Sequence, residues 1–201
     1  LGRIFASTDS NLEQHKNDKV GHIGYFDCVD DHEAADLLFG AADQWLRARG
    51  CNVVEGPLNL NIYTGYRVQT TGFDTLPFPG EPRNPPHYPA LLTHAGYTTL
   101  ATWNTWDVPV SFLQETVDYT RSILDDTPHS HIRHRRANAQ EFEKELRLIH
   151  RCILDIFSQN YGYSEISEDE WVQTTIYRQP LMVDNLFRIT LDDHDQPTGV
   201  V

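Results

Sequence analysis

Hydrophobic residues near the start of the chain form two different patterns, and each pattern predicts a different element. The run VGHIGYFDCV at residues 20–29 is almost continuously apolar, β-branched or aromatic, which predicts a buried strand. The run DDHEAADLLFGAADQWLRARG at residues 30–50 has apolar residues three and four positions apart, which predicts an amphipathic helix. Residues 1–6 and 52–55 predict two shorter strands. Because a helix between two strands implies a crossover, we expect the strands that flank it to be parallel.

The ends of this predicted helix carry residues that favour helix termini. Asp30 stands three residues before Glu33, as in a capping box, in which the first side chain accepts a hydrogen bond from an exposed N–H group. Arg47 and Arg49 suit the negative C-terminal end of the helix dipole. Gly50 supplies the left-handed residue that commonly ends a helix.

A long segment without a clear period follows the third predicted strand. Residues 56–83 are rich in glycine and proline, which predicts a loop. Loops of this length in small domains are usually functional or mobile. The aromatic residues of this loop indicate that it packs against the rest of the chain.

The stretch NPPHYPALLTHAGY, residues 84–97, predicts a rigid entry into a short helix. The double proline fixes the chain direction, and Pro89 suits a first helical turn. Gly96 suits the helix stop. We therefore expect a helix at 89–94, followed by a strand rich in threonine and tryptophan at 97–108.

The second half of the chain is predicted to be mainly helical. Residues 112–124 suit a short helix, and the polar run at 126–137 suits a linker. Residues 140–159 predict a longer amphipathic helix that should cover apolar sheet surface with its stripe of large side chains: Phe142, Leu146, Ile149, Ile153 and Ile156.

The last part of the chain predicts one more helix and a hairpin. Ser167 and Glu170 form a second capping-box pattern at the start of a helix. The run LFRITLDDHDQPTGVV at 186–201 predicts two antiparallel strands with the turn region at 192–199.

The composition suits a globular chain and excludes some partners. Its 201 residues are 39% hydrophobic, which is enough for one ordinary domain or two small ones. A net charge of −13 excludes nucleic acid, whose phosphates need basic clusters, and disfavours an acidic lipid surface. No apolar run approaches the ~20 residues of a membrane span, so no membrane partner and a cytoplasmic location are expected. Cys28, Cys51 and Cys152 are odd in number and far apart, which indicates buried thiols.

Several short strings follow one another in a specific order between residues 20 and 97. The strand ends in an acidic pair, the helix ends in WLRARG, and the strings GPLN, GFDT and NPPHYP with a Gly-aromatic stop follow. In this ordered agreement the chain resembles a group of uncharacterised bacterial GNAT-like proteins, which belong to the acyl-CoA N-acyltransferase superfamily. The resemblance implies an α/β protein with a mixed sheet and N-acyltransferase activity on an unknown substrate.

By the same resemblance the chain joins parts of two GNAT-like units. Residues 1–125 would form the closing half of one unit, residues 126–137 a linker, and residues 138–201 the opening half of the next. The first residue is not methionine, which we interpret as a processed or partial product. An acyl-CoA site of the second unit would then lie beyond Val201. A strand cut short at this end would expose unpaired edge groups, through which chains could associate.

The helix start at residues 29–36 departs from the GNAT pattern. GNAT enzymes hold the pyrophosphate of acyl-CoA on backbone N–H groups at this helix N-terminus, usually in a turn of the pattern Q/R-x-x-G-x-G/A. Here the turn reads VDDHEAAD and has four carboxylates instead of glycine: Asp30, Asp31, Glu33 and Asp36. These carboxylates favour the helix dipole but repel phosphate. We therefore expect that the first unit does not bind acyl-CoA in the usual way.

Aromatic and amide side chains around the long loop are candidates for binding and catalysis. Four of them suit a pocket for a polar small molecule, or alternatively satisfy the loop backbone: Asn59, Asn61, Tyr63 and Tyr66. His87 would face the same pocket. Tyr88 or Tyr97 would supply the phenol that GNAT enzymes often use as a general acid, and a packed tyrosine is the competing role. If the pocket forms, Tyr63, Tyr66 and Tyr88 should converge on it.

The run HSHIRHRR at residues 129–136 has histidines spaced for a metal but no carboxylate or thiolate ligand nearby. A solvated linker is the favoured interpretation and no metal is expected, although its arginines remain candidates for weak anion binding. Three functions stay open: an N-acyltransferase relative, a non-catalytic module that binds a small molecule or acts as a scaffold, and a sensor that uses the 56–83 loop. The fold alone does not choose among them.

Overall fold

The computed structural model describes residues 1–9, 18–125, 133–160, 162–182 and 186–200. By its internal contacts the chain forms two units. The first comprises Leu1–Thr98 and Ile156–Ser167, and the second comprises Thr99–Asp155 and Glu168–Val201. Each unit holds a three-stranded sheet with helices, so the chain is a mixed α/β protein, as predicted. The assignment of these regions to halves of GNAT-like units stays a prediction.

The sheet of the first unit is built on a buried central strand. Strand β1 (Gly2–Thr8) runs antiparallel to β2 (Val20–Cys28), and β3 (Val53–Glu55) pairs with β2 in parallel. The strand order is β1-β2-β3. The parallel pairing confirms the prediction made from the helix between the second and third strands. Residues 10–17, between β1 and β2, lie outside the described residues.

Helix α1 (His32–Arg47) covers this sheet with one apolar face. The side chains of Ala35, Phe39, Ala42 and Leu46 are all buried at helical spacing. They join Ile23 of β2 in one hydrophobic cluster. Burial of large apolar side chains such as Phe39 and Leu46 stabilises a fold by about 1.5–3 kcal/mol each, so this face accounts for the docking of α1.

The N-terminus of α1 differs by one residue from the prediction. Asp31, and not Asp30, is the N-cap residue, and its backbone is extended with φ −152° and ψ 116°. The Asp31 carboxylate accepts hydrogen bonds from the N–H groups of Glu33 at 2.9 Å and of Ala34 at 3.2 Å. The capping box expected from Asp30 and Glu33 was therefore wrong, because the helix begins one residue later than the sequence pattern indicated.

The predicted short helix and its glycine stop are both present. Helix α2 (Tyr88–His94) has a proline in its first turn. Gly96 follows it with φ +89°, a left-handed conformation that glycine adopts without strain. The N–H of Tyr97 then bonds the carbonyl of Leu92 at 3.1 Å and turns the chain away from the helix.

No strand forms at residues 97–108, so this prediction was wrong. Residues 98–109 have no regular structure, and all of them are exposed. Threonine and tryptophan favour strands only where a neighbouring strand and an apolar surface are available, and this segment has neither among the described residues. Helix α3 (Val110–Asp125) follows, two residues longer at its start than predicted, and its side chains up to residue 122 are exposed.

Helix α4 (Phe142–Phe157) carries most of the buried surface of the second unit. Four residues of its predicted stripe are at most 8% exposed, which confirms their burial: Phe142, Leu146, Ile149 and Ile153. Ile156 is the exception, with 51% of its surface exposed near the end of the helix. A short 3₁₀ turn (Ala139–Glu141) precedes α4, and helix α5 (Glu168–Thr175) lies beside it, with Trp171 Nε1 donating to the carbonyl of Leu146 at 3.1 Å.

Part of the predicted linker is a strand. Strand β4 (Arg133–Arg136) pairs with β5 (Arg188–Leu191), which pairs in turn with β6 (Pro197–Val200), all antiparallel. The β5–β6 pair confirms the predicted hairpin. Polar composition alone suggested a linker, but Ile189 and Leu191 of β5 are buried beside β4 and supply the packing that a basic strand lacks.

Helix α4 and strand β4 are joined by one well-formed ion pair. Arg135 donates to both carboxylate oxygens of Glu145, each at 2.8 Å. The N–H of Asn138 donates to the same carboxylate at 2.9 Å. Although burial opposes the charged form, these hydrogen bonds hold the pKa of Glu145 below its usual value.

Two further expectations concern the cysteines and the membrane. Cys28, Cys51 and Cys152 are free and buried, as predicted. Within the residues that the structure describes, no helix combines the length and the apolar character that a membrane crossing requires.

Candidate functional site

The carboxyl end of β2 is irregular, and this irregularity organises the site. The pairing of β1 with β2 shifts between Arg3 and Phe5, which indicates a β-bulge. Tyr25, opposite this shift, has φ +44°, which is uncommon for a residue other than glycine. Bulges re-aim side chains and end strand pairing, and they often lie beside functional sites. Beyond the bulge β1 still pairs with β2 through Gly2 and Arg3, whereas the other edge of β2, where β3 has ended, is contacted by loop and side-chain groups.

The GPLN string replaces β3 as the neighbour of β2. The N–H of Leu58 donates to the carbonyl of Ile23 at 2.7 Å, and the Asn59 side-chain oxygen accepts from the N–H of Tyr25 at 2.6 Å. Gly24 permits this approach, because a Cβ atom at that position would stand 2.1 Å from the carbonyl oxygen of Leu58. Backbone thus lies directly against backbone at this point.

His87 and Tyr88 cap the end of β2, and the double proline leads directly into them. The Tyr88 hydroxyl donates to Asp27 Oδ1 at 2.7 Å and accepts from the N–H of Cys28 at 3.1 Å. His87 Nε2 donates to the carbonyl of Cys28 at 3.0 Å. The two side chains thus satisfy backbone groups that a neighbouring strand would otherwise satisfy.

The chemical state of Tyr88 follows from these contacts. Burial, together with its hydrogen bond to Asp27, raises the pKa of the Tyr88 phenol. The phenol therefore keeps its proton, and that proton points at Asp27. In this arrangement Tyr88 connects α2 to β2, and a role as general acid would require the hydroxyl to turn toward a substrate.

Replacement of Tyr88 by phenylalanine should destabilise the first unit by about 1–2 kcal/mol. The change removes the hydroxyl and leaves the buried N–H of Cys28 without its acceptor. Urea unfolding followed by circular dichroism would measure the loss. Tyr119→Phe is the matched control, because Tyr119 is 67% exposed on α3. Equal stability of the two variants would contradict the capping role of the hydroxyl.

Tyr97, the other predicted general acid, packs inside the first unit. Its ring lies 5.4 Å from the Phe39 ring, measured between centroids. Burial, with a smaller contribution from the charge of Asp43, raises the pKa of Tyr97 to about 12. Its hydroxyl oxygen is buried and has no hydrogen-bond partner in the described part of the chain. These contacts fit the competing role of a packed tyrosine.

The loop residues that were predicted to bind a ligand make local contacts. Asn61 Oδ1 accepts from the N–H groups of Tyr63 and Thr64, both at 3.0 Å. Burial raises the pKa of Tyr63 to about 12. Tyr66 pairs with Leu58 in an isolated bridge, and the guanidinium of Arg67 lies 4.5 Å from the Tyr66 ring centroid. Asn61 thus satisfies loop backbone, the alternative that the sequence left open, whereas Asn59 satisfies the backbone of β2 at Tyr25.

The three tyrosines that were expected to converge have different neighbours. Tyr88 contacts Phe26 and Asp27 at the end of β2, whereas Tyr66 contacts the Arg67 side chain. Tyr63 is near Tyr163, which after burial is the second cause of the raised pKa of Tyr63. The pocket that they would share stays a prediction.

The sequence did not indicate two features of the first unit. Asp27, the partner of Tyr88, was visible only as a polar residue near the end of an apolar strand. A recess of about 300 Å³ is lined by Asp43, Arg47, Cys51, Asn52 and Val54, at the end of α1 and the start of β3. No periodic pattern marks these five residues as neighbours.

The described residues contain no group of three metal-ligating side chains. Two of the histidines weighed as ligands, His129 and His131, lie outside the described residues. His134 lies on β4, where its side chain is exposed.

Comparison with known proteins gives two relatives. The chain is 28% identical over 193 residues to Protein YghO of Escherichia coli K12, covering 94% of this chain and 48% of that protein. It is 28% identical over 175 residues to the Bacterial ceramide synthase of Caulobacter vibrioides, covering 85% of this chain and 44% of that protein. The chain thus spans about half the length of both relatives. No family model and no solved structure matches it.

Proposed function

We propose that this chain is part of a GNAT-like N-acyltransferase that joins an acyl group to the amine of a long-chain lipid base. The observation that carries the proposal is the similarity to a protein named for ceramide synthesis, over 85% of the chain. The GNAT-like order of strings and the parallel β2–α1–β3 arrangement support it. A ceramide is an amide of a fatty acid and a long-chain amine, so its synthesis is an N-acylation.

The reaction defines what the protein must supply. The amine nitrogen attacks the carbonyl carbon of an acyl thioester, the C–S bond breaks, and the thiol leaves with the proton that the amine loses. A protein assists by orienting the two substrates and by moving that proton. Tyr88 and Tyr97 are the phenols that the GNAT resemblance offers for the proton transfer.

The N-terminus of α1 does not fit a pyrophosphate. The N–H groups of Glu33 and Ala34 already donate to the Asp31 carboxylate. A phosphate would have to displace that carboxylate and approach further negative charges at Asp30 and Glu33. We therefore derive no step through acyl-CoA at this position.

The same geometry supports a second candidate function, a binding or scaffolding module within a longer enzyme. Asp31 occupies the N–H groups that would cradle phosphate, and Asp27 accepts the hydrogen bond of the Tyr88 hydroxyl. Under this alternative the chain would bind the lipid base or hold other parts of the enzyme without taking part in chemistry.

Replacement of Asp31 by lysine tests the phosphate argument. We expect the unaltered chain to show no micromolar binding of acetyl-CoA in calorimetry, and Asp31→Lys to gain weak binding, because it frees two N–H groups and reverses a charge. Asp30→Lys is the control, since it makes the same charge change without freeing the N–H groups. Micromolar binding by the unaltered chain that is lost in Asp31→Lys would contradict the argument.

A chimera tests the proposed function. The 175-residue region of the Caulobacter protein that matches this chain would be replaced by this chain, and the purified chimera supplied with a long-chain amine and an acyl-CoA. Mass spectrometry of the N-acylated product measures activity. Product formation supports the acyltransferase. A folded chimera that binds the amine without turnover supports the binding module, and one that neither binds nor turns over contradicts both proposals.

A further inference from the structure

The β4–β5 pair has two faces of different character. Side chains alternate across a strand, so residues paired in register share a face. Arg135 and Ile189 face inward, where Ile189 is fully buried and Arg135 binds Glu145 of α4. By the same alternation Arg133 and Leu191 share this inward face. The opposite face, called here the outer face, carries the side chains of the other two pairs: His134 with Thr190 and Arg136 with Arg188.

Two arginines stand directly opposite each other on this outer face. Residues paired in this way have Cβ atoms about 4.5–5.5 Å apart, and like charges so placed destabilise the pair. Arg136 is exposed, and its guanidinium has no ion pair or hydrogen bond with any residue that the structure describes. Arg188 is half-buried and donates to the carbonyl of Phe187 at 3.2 Å. Arg136 therefore offers a guanidinium that no carboxylate of the described residues neutralises.

Three other arginines of this unit form ion pairs with carboxylates. Arg133 binds Asp195 at 2.6 Å, Arg135 binds Glu145 at 2.8 Å, and Arg147 contacts three carboxylates. The chain carries 29 acidic residues against 16 lysines and arginines, so acidic partners are abundant. Arg136, which has no carboxylate partner among the described residues, thus differs from these three arginines.

The remaining groups on the outer face are hydrogen-bonding groups without negative charge. The Thr190 hydroxyl lies 3.3 Å from the Thr198 hydroxyl, and the His134 ring is exposed. Gly199 pairs with Thr190 and carries no side chain, and a Cβ there would stand 2.7 Å from the Thr190 hydroxyl. The Thr190 hydroxyl therefore lies close against the Gly199 backbone, with no side chain of residue 199 beside it.

We propose that the outer face binds a phosphate-bearing anion through Arg136 and Arg188, with His134 and Thr190 at its edge. Guanidinium groups match phosphate oxygens with paired hydrogen bonds, and the exposed Arg136 stands in register with Arg188 on one face of the strand pair. A net charge of −13 repels anions from the chain as a whole, so binding requires this local arrangement. The site lies in the second unit and does not depend on the proposed function.

Binding of inorganic pyrophosphate to the purified chain tests this site. We expect Arg136→Glu to weaken the binding at least tenfold in calorimetry at low ionic strength. Arg121→Glu is the matched control, because it makes the same charge change on α3, where the Arg121 side chain is 72% exposed. The control should change the affinity less than twofold. Equal losses in both variants would show a general charge effect and overturn the proposal.

A stability measurement separates lost binding from lost folding. Arg136→Glu places a carboxylate opposite Arg188, so the unfolding temperature should stay unchanged or rise. NMR spectra of the labelled chain should show pyrophosphate-dependent shifts in β4 and β5. Shifts confined to other residues, such as the start of α1, would overturn the proposal.

Two further arms identify the source of the phosphate. Coenzyme A tests a soluble phosphate ester, and phosphatidylglycerol vesicles test a lipid headgroup. Calorimetric binding of coenzyme A that Arg136→Glu removes assigns a soluble ligand, and vesicle sedimentation that the same change removes assigns a lipid. Absence of binding in every arm, or binding that Arg136→Glu leaves unchanged, overturns the proposal.

Discussion

Replacement of Gly24 by alanine should destabilise the first unit by about 3 kcal/mol, because the added methyl group has no space. Its carbon would stand 2.1 Å from the carbonyl oxygen and 2.6 Å from the carbonyl carbon of Leu58, and these two atoms are backbone that a rotamer change cannot move. The GPLN loop must then leave β2 and lose the hydrogen bonds at Ile23 and Tyr25. We therefore expect both lower stability and faster proteolysis within residues 56–87.

A second glycine provides the control for this variant. Gly40 lies on the exposed side of α1, and a Cβ added there would meet nothing within 4 Å. Gly40→Ala should stabilise the chain by about 0.5–1 kcal/mol, because alanine favours the helix. Urea unfolding measures both variants. Unchanged stability and unchanged proteolysis in Gly24→Ala would show that the loop does not depend on this contact.

Replacement of Glu145 by alanine should destabilise the second unit by about 3 kcal/mol at neutral pH. Glu145 is buried, and its removal leaves Arg135 and the N–H of Asn138 without their acceptor. Glu143→Ala, which removes an exposed carboxylate beside Arg147, should cost less than about 1 kcal/mol. Similar losses in both variants would contradict the importance of the β4–α4 connection.

The lowered pKa of the Glu145 carboxylate predicts how the stability of the fold depends on pH. The pKa of Glu145 is lower in the folded chain than its usual value of about 4.3, so the folded state favours the charged form. The contribution of the charged Glu145 to stability is therefore fully present at pH values above that usual pKa. It is lost as the pH falls through the lower pKa of the folded chain. Glu145→Gln should show a flatter decline of stability with acid over this range than the unaltered chain, and parallel declines would contradict it.

The elements of the first unit were largely predictable because each has a clear local cause. The apolar run of β2 and the helical spacing of Phe39 and Leu46 determine those elements without distant partners. The strand expected at 97–108 failed because its residues favour a strand only beside another strand. Strand β4 was missed for the converse reason, since its support comes from β5, more than fifty residues away.

The site was less predictable than the fold, because its contacts join residues distant in sequence. Tyr88 meets Asp27 across 61 positions, and Asn59 meets Tyr25 across 34. One available signal was Gly24, since a glycine inside a strand pattern often marks a bulge or a close backbone approach. The residue types at the site were recognisable from the sequence, but their hydrogen-bond partners were not.

The four tryptophans lie in different parts of the chain, so tryptophan fluorescence can follow each unit separately. In the first unit the Arg49 guanidinium lies 3.5 Å from the Trp45 ring centroid, and in the second unit Trp171 is held by its bond to Leu146. Trp103 and Trp106 lie in the exposed segment before α3. With those two replaced by phenylalanine, and with Trp45 or Trp171 removed in turn, each variant would carry a single indole, in one unit or in the other. Fluorescence would then report whether the units unfold in one transition or in two.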